Sequence, residues 1–130
     1  MNVSWICGNL SPGGRLVLAG SSDGTIRLWE TTSGREIWNI NAHKDGVNDV
    51  VFSSTGRLII STGNDNRIRI MTTDDGKIVD NIDLSTSKDN GRSVAFFPDR
   101  MSFLVGSTRG VILHFAIDEK RGYPALQKKG

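Results

Sequence analysis

The fold class this sequence predicts is all-β, three four-stranded antiparallel units in a row, and three observations predict it. A polar turn followed by a strand-length run occurs three times, at Ser21–Glu30, Asn64–Met71 and Thr108–Phe115. The turn residues Gly24, Asn66 and Gly110 are 42 and 44 residues apart, and Trp29, Met71 and Phe115 keep the same spacing. Each block is flanked by further apolar or alternating runs of strand length, separated by turn-forming residues.

The elements follow in order. Unit one opens with an apolar run at Val3–Cys7, turns at Ser11–Gly14 and continues through Leu16–Gly20. The Asp23-Gly24 step, a hairpin signal, then delivers the chain into Thr25–Trp29. After the polar turn Thr31–Gly34, Glu36–Ile40 alternates polar and apolar, as a half-exposed strand does. Unit two predicts strands at Val47–Phe52, Leu58–Ser61, Ile68–Met71 and Ile78–Leu84, with turns at Ser53–Gly56, Asn64–Asn66 and Thr72–Gly76. Unit three predicts Ser93–Phe97, Phe103–Val105, Val111–Phe115 and a weakly marked stretch near Ala125–Gln127. One partial domain over residues 1–130 is expected, with units at about 1–42, 43–86 and 87–128.

The second strand of each unit (Leu16–Leu18, Leu58–Ile60, Phe103–Val105) is continuously apolar, which predicts burial on both faces. The fourth strands alternate and belong toward the outside. Four-stranded units with covered inner strands, repeating every ~40–45 residues, match the radially stacked blades of a β-propeller.

Composition limits the alternatives. Charged residues are 23% and hydrophobic residues 37%, which disfavours disorder, and no apolar run approaches the ~20 residues of a spanning helix. The net charge of +2 is spread along the chain except at Lys128 and Lys129, so nucleic acid is a disfavoured partner. Cys7 is the only cysteine, so no intrachain disulfide forms, and the first 30 residues lack signal-peptide order. An intracellular location, cytoplasmic or nuclear, is expected.

In these residues the chain resembles the WD-repeat β-propeller family. The resemblance covers residues 3–117 and is carried best by Asp23–Glu30, where Glu30 stands in place of the family's Asp. The segment Ala42–Ser53 comes next, with Ala42 in place of Gly ahead of His43. The resemblance implies a structural tetrad of His, a second-strand Ser or Thr, a turn Asp and a third-strand Trp. Unit two supplies His43, Ser61 and Asp65, with Met71 where the Trp belongs, so a Trp at 71 is expected to stabilise it. Unit one has Asp23 and Trp29 but Ala19 at the hydroxyl position and no upstream His. Unit three has Arg109 and Phe115 instead, and is expected to rest on packing alone.

No catalytic set emerges. His43 fits the structural position, and His114 sits in a strand where the other units carry an apolar residue; neither has metal-ligand spacing. Asp23, Asp65, Asp74, Asp75, Asp118 and Glu119 fall at turns, where Asp bonds its own backbone. Cys7 lies in a strand expected to be buried, without an activating base. Arg27 and Arg69 hold matched third-strand positions, their stems expected to lie against a neighbouring blade. Neither an enzyme nor a cofactor or metal is expected.

Function is therefore expected on the loops at one end of the blades. The loops entering the first strands and linking second to third strands bring together Asp23, Lys44, Asp45, Asn64, Asn66, Arg67, Lys88, Asn90, Arg92 and Arg109. The resemblance implies docking of other proteins or peptides there. Three blades do not make a ring, because propellers have roughly four to eight. The flanks of units one and three are expected to be covered by the remaining blades of a longer chain, or by a second copy giving six blades.

Overall fold

The computed structural model describes residues 4–118 and 125–129. Strands β1 (Trp5–Leu10), β2 (Leu16–Ser21), β3 (Thr25–Glu30) and β4 (Glu36–Asn41) form the first antiparallel sheet, in that order. The second contains β5 (Val47–Phe52), β6 (Leu58–Gly63), β7 (Arg67–Thr72) and β8 (Ile78–Asp83). A 3₁₀ turn at Ser85–Ser87 leads to β9 (Gly91–Phe96), β10 (Ser102–Ser107), β11 (Ile112–Asp118) and β12 (Ala125–Lys129), the third sheet. Val3, where the first strand was expected to begin, lies outside the described residues. The matched turn residues Gly24, Asn66 and Gly110 have φ of 90°, 63° and 80°. That left-handed conformation favours Gly and Asn, which explains why only those two types occupy the position.

Period-two alternation sends each strand's apolar residues to the faces between sheets. Leu18, Ile26 and Leu28 of the first sheet meet Val50, Phe52, Ile59 and Met71 of the second. On the other face of the second sheet, Ile60, Ile68 and Ile70 meet Val94, Phe103, Val105 and Phe115 of the third. Burying such a side chain contributes about 1.5–3 kcal/mol, so these two layers dominate stability. Polar links tie the innermost strands: Phe52 N donates to Asn9 Oδ1 at 3.1 Å, and Val94 N donates to Asp49 Oδ2 at 2.9 Å. Farther out, Trp38 Nε1 donates to the Thr73 carbonyl at 2.8 Å.

Position in the stack decides burial. All six residues of β6 are buried, whereas β2 and β10 are only partly so. The expectation of coverage on both faces therefore holds for the middle sheet alone. The three sheets are not closed into a ring, and the outer faces of the first and third sheets meet no other sheet among the described residues. Three expectations are corrected on this ground. Trp29 is half-buried, because it points to the open face of the first sheet, where it packs edge-on against Trp5. Cys7 is half-buried rather than buried, being on the inner edge strand. Met71 is fully buried, and its side chain already fills the space where a Trp was expected to help.

Candidate docking face at one end of the blades

The short connections 22–24, 42–46, 64–66, 84–90 and 108–111 meet at one end of the stack, and hydrogen bonds join each to the next. Gly24 O accepts from the backbone N–H groups of Ala42 and His43. Lys44 N donates to Asp65 Oδ2 at 3.1 Å, and Asn66 N donates to Asn90 Oδ1 at 2.8 Å. The loops of three sheets thereby form one continuous rim.

His43 anchors the middle of that rim. Its Nδ1 is 2.9 Å from Asp65 Oδ1 and its Nε2 is 2.8 Å from Ser61 Oγ. A carboxylate only accepts, so Nδ1 carries the proton and Nε2 accepts from the serine hydroxyl. Burial lowers the imidazole below its ordinary 6.5 despite the Asp65 carboxylate, which keeps it neutral. Burial raises the Asp65 carboxyl, but His43, the Lys44 amide and Arg69 outweigh it and hold it low. The local sequence makes room for the ring, since a Cβ at Gly63 would overlap it and one at Gly24 would overlap the His43 carbonyl.

The third sheet has its own polar cluster, which corrects the expectation that it rests on packing alone. Asp89 is buried and accepts from Thr108 Oγ1 at 2.8 Å, Arg109 N at 3.2 Å and Asn90 N at 2.9 Å. Burial pushes this carboxyl up, and bonds from Ser107, Thr108, Asn90 and Arg109 override it, leaving it lowered. The carboxylate comes from the loop entering β9 rather than from the turn after β10, so a comparison of turn positions finds only Arg109 and misses it. The Asp-Asn-Gly run at Asp89–Gly91 was the available signal. In the first sheet Asp23 bonds locally, to Ser21 Oγ and to Thr25 N, and Trp29 makes no bond to it.

The remaining candidates fall as follows. Lys44, Asp45, Asn64, Lys88, Arg92 and Arg109 are exposed, whereas Asn66, Arg67 and Asn90 are half-buried. Asn64 Nδ2 donates to Asp45 O at 3.4 Å, and Arg67 lies 3.7 Å from Asp83. Arg92 is not in a loop. It is inside β9, because pairing with β10 starts at Gly91, two residues earlier than expected. Arg27 pairs with Glu36 at 3.2 Å and lies over the Trp5 ring, on an open face rather than against a neighbouring blade.

Chemically, the face offers donors, acceptors and both charges, held on a rigid frame. No group of three or more His, Cys, Asp or Glu converges among the described residues. Burial, with the Asp49 carboxylate, pushes the Cys7 thiol up to about 11, so it is protonated at neutral pH. No described helix is long and apolar enough to cross a membrane.

Comparison with known proteins agrees with this geometry. The family model described as WD domain, G-beta repeat matches residues 2–30 and 34–71, just over half of the chain. The chain is 36% identical over 45 residues to ribosome biogenesis protein erb1 of Pyrenophora tritici-repentis, covering 35% of this chain and 6% of that protein. It is 40% identical over 42 residues to the Neosartorya fischeri protein of the same name, covering 32% and 5%. Among solved structures, the RRP9 WD40 repeats superpose with a TM-score of 0.80 at 17% identity, covering 95% of this chain and 36% of that one. Saccharomyces cerevisiae Sqt1 gives 0.83 at 17% identity, covering 96% and 34%. The chain thus spans about a third of those structures and a small part of the curated relatives. The chain belongs to the WD-repeat β-propeller family.

Proposed function

We propose that this chain is a non-catalytic scaffold that docks other proteins or peptides through the loop end of its blades. In this reading residues 1–130 are one partial propeller domain, completed by further blades of a longer chain or by a second copy. The observation that carries the reading is the hydrogen-bonded rim, in which Lys44, Asn66 and Arg109 are each fixed by a residue of a neighbouring loop. Loops pre-set by a rigid frame are where recognition concentrates. The family favours protein binding over chemistry. The likeness to ribosome biogenesis proteins supports a role in a ribosome-assembly complex and a nuclear location.

Lys44→Glu with Arg67→Glu is expected to abolish partner binding and leave the circular dichroism spectrum unchanged. Loss on Arg15→Glu with Arg57→Glu, at the opposite end, moves the site there. The same relatives favour a second reading, association with RNA in such a complex; it predicts binding that falls steeply and log-linearly with salt.

A further inference from the structure

The two gaps between neighbouring sheets are made from matched positions and filled differently. Between the first and second sheets lies a hollow of about 520 Å³ whose lining is polar, with Asp23, Asn41, His43, Lys44 and Arg69. Between the second and third lies one of about 640 Å³ with an apolar lining of Ile82, Leu84, Val111, Leu113 and Phe115. Register pairs Arg69 with Ser61 and Leu113 with Val105, so Leu113 holds the place of Arg69. By the same spacing Val111 replaces Arg67, and Leu84 replaces Ala42. Two arginines and an alanine have thus become three branched aliphatic residues.

The hollow is a built groove rather than a packing gap. The connection 84–90 is longer than its counterpart 42–46 and folds into the 3₁₀ turn Ser85–Ser87, which walls one side. Arg109 Nη1 fastens that wall by donating to Ser87 O at 2.8 Å. Phe115 forms the floor at 3% exposure, while Val111 at the mouth remains 47% exposed. The volume lies in the ~300–1,000 Å³ range of ligand pockets.

Charge identifies the partner. At the rim Asp83 is engaged by Arg67, and Asp89 by Thr108 and the amides of Asn90 and Arg109. Neither Lys88 nor Arg109 has an ion-pair partner among the described residues. The uncompensated charge is positive, which favours an acidic group beside whatever apolar group enters.

We infer that the groove between β8 and β11 docks a short peptide segment of a partner protein, with a bulky aliphatic or aromatic anchor next to an acidic residue. This rests on the reading of the loop end as a protein-docking face and names one subsite of it.

The test is an amide chemical-shift titration of the whole chain with two blocked hexapeptides. One carries two aspartates before a leucine and a phenylalanine; the other has lysines in place of the aspartates. The aspartate peptide is expected to bind saturably, shifting the Val111 and Leu113 amides, and at least about tenfold more tightly than the lysine peptide. Leu113→Arg, which restores the residue type of the other two sheets, is expected to weaken it by at least about tenfold, and Arg109→Glu likewise. Where the amide spectrum of Leu113→Arg indicates unfolding, Val111→Glu serves in its place. No saturable binding of the aspartate peptide, or binding unchanged in a folded groove variant, overturns the inference. Shifts confined to Lys44 and Asn64 overturn the groove but leave the docking face standing. Partner binding that survives Lys44→Glu with Arg67→Glu strikes the docking face itself.

Discussion

His43 Nδ1 lies 2.9 Å from Asp65 Oδ1, which ties the loop entering the second sheet to the turn between that sheet's second and third strands. With Ser61 on the other ring nitrogen, the imidazole has both of its hydrogen-bonding atoms occupied while only 2% exposed. Removing the ring strands two buried partners. His43→Ala is therefore expected to cost about 2–4 kcal/mol, and His43→Ala with Asp65→Ala less than the sum of the single changes, by about 0.5–3 kcal/mol. A double-mutant cycle by urea denaturation measures this, and strict additivity contradicts the contact.

The same ring gives stability a pH dependence. Its folded value lies below the ordinary 6.5 because of burial, so the unfolded chain takes up the proton first. Stability is full above that value and is lost as pH falls below it, toward the lower folded value. Asp65 adds to the loss only farther down: its contribution is present above 3.8 and disappears as pH falls through its lowered folded value. Asp49 runs the opposite way, since burial raises its carboxyl and stability falls as pH rises through its window. Urea midpoints taken from about pH 7.5 to about pH 5.5 are expected to decline, and His43→Gln to remove most of that slope.

Packing sets the third prediction. Ile60→Ala, between two sheets, is expected to cost about 2–5 kcal/mol. Trp29→Ala is expected to cost less than Ile60→Ala, since Trp29 lies half-buried on an open face. Met71→Trp is expected to destabilise by about 1–3 kcal/mol, because the site is already full. Stabilisation by Met71→Trp would reveal an unfilled space beside Met71.

Most of the fold was legible because a period of roughly 42–44 residues displays each strand three times, so that a weak run is identified by its clearer counterparts. The strand near Ala125 was recognisable only in that way. Two things were less legible. Which faces are covered depends on a sheet's place in the stack, and local sequence does not carry that information; Trp29 and Ile60 look alike as apolar strand residues and differ only in neighbours. The Asp89 cluster was hidden because the carboxylate changed loops while the hydrogen-bonding geometry was retained. The apolar groove was hidden for a related reason, since Leu113 is an ordinary strand residue until it is compared with Arg69.

Asp89 offers the fourth prediction. Asp89→Ala leaves the hydroxyl of Thr108 and the amide of Arg109 without their acceptor, and a loss of about 1–3 kcal/mol is expected. The loosening should be local: amide exchange accelerates over 108–111 and stays unchanged in β6. Acceleration spread evenly over all three sheets would contradict a local role.

The central claim, docking through the loop end, is tested most directly by hydrogen exchange of the chain with a bound partner protein, measured against the free chain. Slowed exchange is expected at 42–46, 64–66, 84–90 and 108–111, with the turns at 11–15, 53–57 and 97–101 unchanged. Slowing confined to those latter turns would contradict the account.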